Sequence, residues 1–138
     1  VLNFWSAECP WCERGDRELL SYLPGWGQRV ALWTIACNAH EAPELMIQAA
    51  SQRGLPLVLH DATQQIANLY GAQTTPHFFV IDSEGILRYQ GALNDITFRQ
   101  RSATRFYLRE AVDALLSGIL PHPAQTAPYG CAIVRHTD

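Results

Sequence analysis

Apolar positions fall into short blocks whose spacing alternates between strand and helix along the chain. Val1-Leu-Asn-Phe-Trp5 is a mostly apolar run, the pattern of a central parallel strand covered on both faces. Cys9-Pro10 then opens a helix, because Pro10 suits a first helical position whose N–H would be unpaired anyway. Leu19, Leu20 and Leu23 give that helix an apolar side, and Pro24-Gly25 predicts its end. Residues 30–36 read as a second strand and 41–53 as a helix stopped by Gly54, with 56–60 as a third strand. Asp61 is set to cap the next helix with Gln64 at N3, and Gly71 ends it. Residues 77–81 and 86–89 are two strands joined by the hairpin loop Asp82-Ser-Glu-Gly85. A last helix runs from about Thr104, its N-cap, to Gly118 at C′, with Val112, Leu115 and Leu116 facing the core. After Pro121 the chain reads as loop until Gly130-Cys131-Ala-Ile-Val134.

The order β-α-β-α-β-α-β-β-α predicts one α/β domain over residues 1–138, with 119–138 as a C-terminal tail. Its first three strands should be parallel, joined by right-handed crossovers, and its last hairpin antiparallel. Hydrophobic residues at 48% against 17% charged exclude a disordered chain, and 138 residues suffice for a buried core. Net charge is −3, and all ten basic residues are arginine, scattered except for Arg99, Arg101, Arg105 and Arg109. That stretch reads as a solvated helix face and not as a nucleic-acid footprint. No apolar run approaches the roughly 18 residues of a membrane span. The chain starts without Met and already inside an apolar strand, so we expect that the natural protein begins upstream and that any targeting segment would lie there.

Four cysteines are too few for a disulfide scaffold, but two of them form Cys9-Pro10-Trp11-Cys12. A bare Cys-x-x-Cys serves zinc nearly as often as redox chemistry, and its position decides between them. Here the pair sits where a strand ends and a helix begins. A helix N-terminus lowers a cysteine pKa from about 8.5 to ~3.5–7.5. Cys9, at the exposed end, is therefore the candidate attacking thiolate. Cys12, one turn deeper, is placed to resolve a mixed disulfide. Downstream, Thr74-Thr75-Pro76-His77 sets a proline immediately before a strand. An ordinary trans proline is the commoner reading of that feature alone, since cis is about 5–6% of X-Pro bonds.

The pairing of Phe-Trp-x-x-x-Cys-Pro-x-Cys with Thr-Pro-x-Phe-Phe-x-Ile-Asp-x-x-Gly resembles the thioredoxin superfamily. Within it, Leu69 to Pro76 and Gly85 to Gly91 look like the corresponding segments of TlpA-like and AhpC/TSA-type bacterial redoxins. Gly130-Cys131-Ala-Ile133 is similar to the Gly-Cys-x-Ile-Lys-Trp ending of one redoxin subgroup, departing from it at Val134-Arg135. The resemblance implies a three-layer fold, a central mixed sheet with helices on both faces, and at least one strand ahead of Val1. It implies thiol-disulfide exchange with protein or small-thiol substrates and an upstream reductant or oxidant, with no cofactor beyond a Cys9-Cys12 disulfide. It also implies a cis Pro76 against the cysteines and a free Thr75 backbone for an extended substrate, beside a partly exposed Trp11. Relatives often carry a buried acid three residues after the second cysteine; here that place is Gly15, flanked by Glu13 and Asp16.

Other readings compete. A peroxiredoxin-like peroxidase would want Pro-x-x-x-Thr-x-x-Cys, and the chain offers Leu2 and Ser6 in those places. A zinc-binding module could use Cys9, Cys12, Cys37 and His40 as a Cys₃His set. Cys37 and Cys131 read either as buried free thiols or as a second disulfide with each other, the apolar residues 132–134 giving the tail a reason to dock. His77 reads as a solvent-facing strand histidine, and Trp5 and Trp33 as core.

Overall fold

The computed structural model describes residues 1–137. A five-stranded sheet has the order β3-β2-β1-β5-β6, built from β1 (Leu2–Trp5), β2 (Trp33–Ala36), β3 (Val58–His60), β5 (His77–Ile81) and β6 (Leu87–Gly91). β1, β2 and β3 run parallel, whereas β5 is antiparallel to β1 and β6 to β5. The remaining strands, β4 (Thr74–Thr75) and β7 (Cys131–Ala132), form a separate antiparallel pair that local sequence did not predict.

Alternation along β1 decides the layers. Leu2 and Phe4 point to one face with Phe79 of β5, and α3 (Gln65–Tyr70) covers that side through Ala67. Trp5 points to the other face, where α1 (Pro10–Trp26) and α2 (Pro43–Arg53) pack through Cys12, Met46 and Ala49. α4 (Tyr107–Leu116) joins this second face by setting Leu108, Ala111 and Val112 against Val80 and Tyr89.

Several boundaries move, each for a tertiary reason. Pro24 lies inside α1, which runs on to Trp26 before a short 3₁₀ turn. Trp26 anchors this last turn: it is buried, and its indole N–H donates to Asp113 of α4 at 3.1 Å. Gln64, not Asp61, holds the N-cap position of α3, because the helix starts only at Gln65; the Asp61 carboxylate still accepts from the N–H groups of Ile66 (3.1 Å) and Ala67 (2.8 Å). The Gln64 side chain reaches back to the carbonyls of Cys37 and Val134. Thr104 does not cap α4, because Asp95 holds its N–H and its hydroxyl. Trp33 is 50% exposed rather than core: it is the first residue of β2, and the strand is buried only from Thr34 onward.

Candidate active site at the start of the first helix

Cys9 occupies the N-cap of α1, with extended backbone at φ −84° and ψ 119°. Its carbonyl accepts from Cys12 and Glu13, both at 3.1 Å, and Pro10 fills the first helical position. Cys9 thus heads the helix, at the positive end of its dipole, with its sulfur 3.2 Å from the Thr75 carbonyl oxygen. Cys12 lies one turn along and is 1% exposed. Burial pushes its thiol up to about 12, reinforced by the Asp16 charge and opposed by the Ser6 backbone, the Thr75 hydroxyl and Arg53. Thr75-Pro76 is cis.

Beneath the cysteines lies a polar floor. Asp16 is buried, accepting from the Trp5 indole at 2.9 Å and pairing with Arg53 at 3.1 Å. Burial raises the Asp16 carboxyl, while Trp5 and Arg53 pull it back down. Arg53 also donates to the Ala7 carbonyl at 2.7 Å and lies over the Trp5 ring. Glu41 fixes the turn before Cys9, accepting from the Ser6 hydroxyl and, at 2.8 Å, from the Ala7 N–H. Gly15 has another use: a Cβ there would lie 3.3 Å from Leu93 and 4.0 Å from Pro76, so the helix packs closely at that residue. The buried acid falls one residue later. Asp16 is four residues after Cys12 and so on the same helix face, a spacing that could have revealed it. Nothing in the local sequence points to Arg53 or Glu41.

The tail changes the expected picture most. β7 pairs with β4, Thr75 opposite Cys131, so the Thr75 backbone is occupied by the chain's own C-terminal segment and is not free. Cys131 is disulfide-bonded to Cys9, with Cα atoms 6.3 Å apart. Neither the Cys37-Cys131 disulfide, one of the two readings of that pair, nor the Cys9-Cys12 disulfide is formed: Cys12 and Cys37 are buried free thiols, and Ile133 is the tail residue that joins the Cys37 apolar cluster. The expected exposure of Cys9 is corrected too, since the tail leaves it only 4% exposed. Trp11 is half-buried, its ring 4.9 Å from that of Tyr129 in the tail.

The remaining candidates separate from this site. Cys9, Cys12, Cys37 and His40 are not gathered as a metal set, and no cluster of three or more such ligands occurs among the described residues. Ser6, in the peroxidase-like position, is bonded to Glu41. His77 does not face solvent: it is buried, takes the Gln73 N–H on Nδ1 at 3.2 Å, and burial lowers its pKa to about 4.

The sequence model of the AhpC/TSA family matches residues 1–90. A thiol:disulfide interchange protein, DsbE, from Yersinia pestis is 32% identical over 104 residues, 72% of this chain and 53% of that protein. The chain thus spans about half the length of the curated relatives it matches. Among solved structures, an uncharacterised conserved protein from Geobacillus kaustophilus superposes with a TM-score of 0.90 at 28% identity, covering 99% of this chain and 77% of that one. A hypothetical protein from Sinorhizobium meliloti gives 0.85 at 30% identity, covering 99% and 79%.

Proposed function

The chain belongs to the AhpC/TSA family of thioredoxin-like redoxins, and on that premise we propose that it exchanges disulfides with protein or small-thiol partners through Cys9 and Cys12. The observation that carries the reading is the N-cap position of Cys9, with a second thiol one turn along and Thr75-Pro76 against the pair. Helix N–H groups and dipole favour the Cys9 thiolate over the thiol. That thiolate attacks a substrate disulfide in line, one sulfur bonding to Cys9 while the other leaves with the electron pair. Cys12 then gives up its proton and attacks Cys9, which releases the substrate thiol and leaves a Cys9-Cys12 disulfide. Burial keeps Cys12 protonated until a mixed disulfide has formed beside it.

Trp11, Thr75 and Pro76 are the substrate-facing residues in this reading. Trp11 and Pro76 border a cleft of about 260 Å³ whose other walls include Arg14, Gly15 and Tyr129. An extended segment laid on β4 would pass its side chains over that cleft. The test removes both internal thiols that could resolve an adduct. A Cys12→Ser/Cys131→Ser double variant, mixed with glutathione disulfide, should accumulate a one-to-one adduct on Cys9. An adduct at Cys37, or exchange that survives Cys9→Ser, would overturn the assignment.

A further inference from the structure

The C-terminal segment is held on both sides of Cys131 by contacts that do not involve sulfur. Upstream, Thr126 pairs with Gln90: its N–H donates to the Gln90 carbonyl at 3.0 Å. Its hydroxyl lies 2.7 Å from the Tyr89 hydroxyl and takes the Ala92 N–H at 2.9 Å. Gly91 permits this approach, since at φ +144° any Cβ would collide with Thr126. Tyr129 packs on Trp11, and its hydroxyl accepts from Phe98 at 2.8 Å. Downstream, the Ile133 N–H donates to Gln73 at 3.2 Å, the Ile133 side chain is buried, and Gln64 donates to the Val134 carbonyl at 2.7 Å. Breaking the Cys9-Cys131 bond therefore leaves the segment docked. The Cys131 sulfur stays beside Cys9 at a high effective concentration.

Gly130 makes the fit specific. A Cβ at that position would collide with the Thr75 carbonyl and lie 3.0 Å from Pro76 Cδ, so the backbone of residue 130 is pressed flat against the ledge that Thr75 and Pro76 form beside Cys9. The segment thus lies antiparallel on Thr74–Thr75 and presents a cysteine to Cys9, as an extended external substrate would.

We propose that residues 129–133 are a tethered substrate, and that Cys131 is a third redox cysteine which shares Cys9 with Cys12. This deepens the proposed exchange function and rests on Cys9 as its reacting sulfur. Starting from the Cys9-Cys131 disulfide, Cys12 loses its proton and attacks the Cys9 sulfur. The Cys9-Cys12 bond forms and the Cys9-Cys131 bond breaks. The electron pair leaves on the Cys131 sulfur, which takes up a proton. Nothing is oxidised or reduced overall, so the step needs no co-reactant and runs in both directions. An external substrate must displace the segment to reach the ledge.

Disulfide mapping in a Cys37→Ser background decides the matter. Each protein is equilibrated in glutathione redox buffer, quenched with acid and digested without reductant. With Cys12→Ser added, Cys9 should appear bonded to Cys131 in a monomer. The parent should give both Cys9-Cys131 and Cys9-Cys12 peptides in one ratio, reached from either starting form. Gly130→Ala, which leaves every thiol in place, should shift that ratio toward Cys9-Cys12 by roughly tenfold, because the added methyl forces the segment off the ledge. Glutathione on Cys9 together with free Cys131 in the Cys12→Ser protein would overturn the proposal. So would a parent that yields Cys9-Cys12 alone. In either case a Cys9-Cys12 pair that still turns over glutathione disulfide leaves the exchange function standing, whereas turnover that survives Cys9→Ser removes both.

Discussion

Cys12 and Cys37 make an instructive pair. Each is a free thiol, each is 1% exposed, and burial pushes each up to about 12. Their neighbours differ. Cys37 lies among Phe4, Ile35, Ala67 and Ile133; Asp61 raises its thiol further, and Arg135 and the Trp5 backbone oppose that. Cys12 lies beside Cys9, with the Ser6 backbone, the Thr75 hydroxyl and Arg53 favouring its thiolate and Asp16 opposing it. Protonation and burial alone would class the two together. What distinguishes them is an electrophilic sulfur one turn away, and intramolecular proximity of that kind outweighs a high pKa. A thiol with no such neighbour is simply a small apolar side chain.

The largest expected effect breaks this comparison outright. Cys9→Ser should lower the turnover of a model disulfide by on the order of 10³-fold or more, while Cys37→Ser leaves turnover within a factor of two (~0.4 kcal/mol). Comparable losses in both variants would mean that Cys37 takes part. Next comes the polar floor, which only Cys12 has. Arg53→Met strands the buried Asp16 carboxylate and should cost about 3 kcal/mol in urea unfolding at pH 7. Asp16→Asn/Arg53→Met, which removes both charges, should recover part of that. An Arg53→Met protein as stable as the parent would show that the pair is not coupled to folding.

A comparable effect comes from His77, which sits in the strand bonded to Phe4 and so ties the two regions together. Its pKa is lowered from 6.5 to about 4 by burial, so the unfolded chain binds more protons than the native one between those values. Stability contributed by the neutral ring is thus fully present above pH 6.5 and is lost as pH falls toward 4. The loss is about 3 kcal/mol at most. His77→Gln should flatten this part of the stability profile, and an unchanged slope would place the titration elsewhere. The smallest effect is kinetic. Because thiolate is the reacting form and Cys12 sits near 12, exchange from Cys9-Cys131 to Cys9-Cys12 should speed up tenfold per pH unit between about 7 and 9. A rate flat across that range would mean that Cys12 is already ionised.

The parts of the site visible in the sequence are those set by neighbours along the chain. Cys9-Pro10 at a strand-helix junction, the depth of Cys12 and the Thr75-Pro76 entry to β5 all follow from local pattern. The tail shows where such reasoning stops. Residues 132–134 are apolar enough to predict docking, and Ile133 does reach the cluster around Cys37. Which sulfur Cys131 meets depends on β4–β7 register, and that is set by Gly130 lying flat on a carbonyl 55 residues earlier. Asp16 is legible only from its i+4 spacing to Cys12, because the place three residues after Cys12 is Gly15, where a Cβ would lie 3.3 Å from Leu93. His77 is buried and Trp33 exposed, against their strand patterns, because such a pattern gives alternation but not which residues the rest of the fold covers.

The central claim is that Cys9, at the start of α1, is the exchanging cysteine. It is tested most directly by timed alkylation of the fully reduced protein near neutral pH, with each cysteine followed by peptide mass spectrometry. Cys9 should be labelled about tenfold or more faster than Cys12 and Cys37, because a helix N-terminus favours its thiolate while burial holds the other two thiols protonated. Equal labelling of Cys9 and Cys12, or faster labelling of Cys12, would contradict the account.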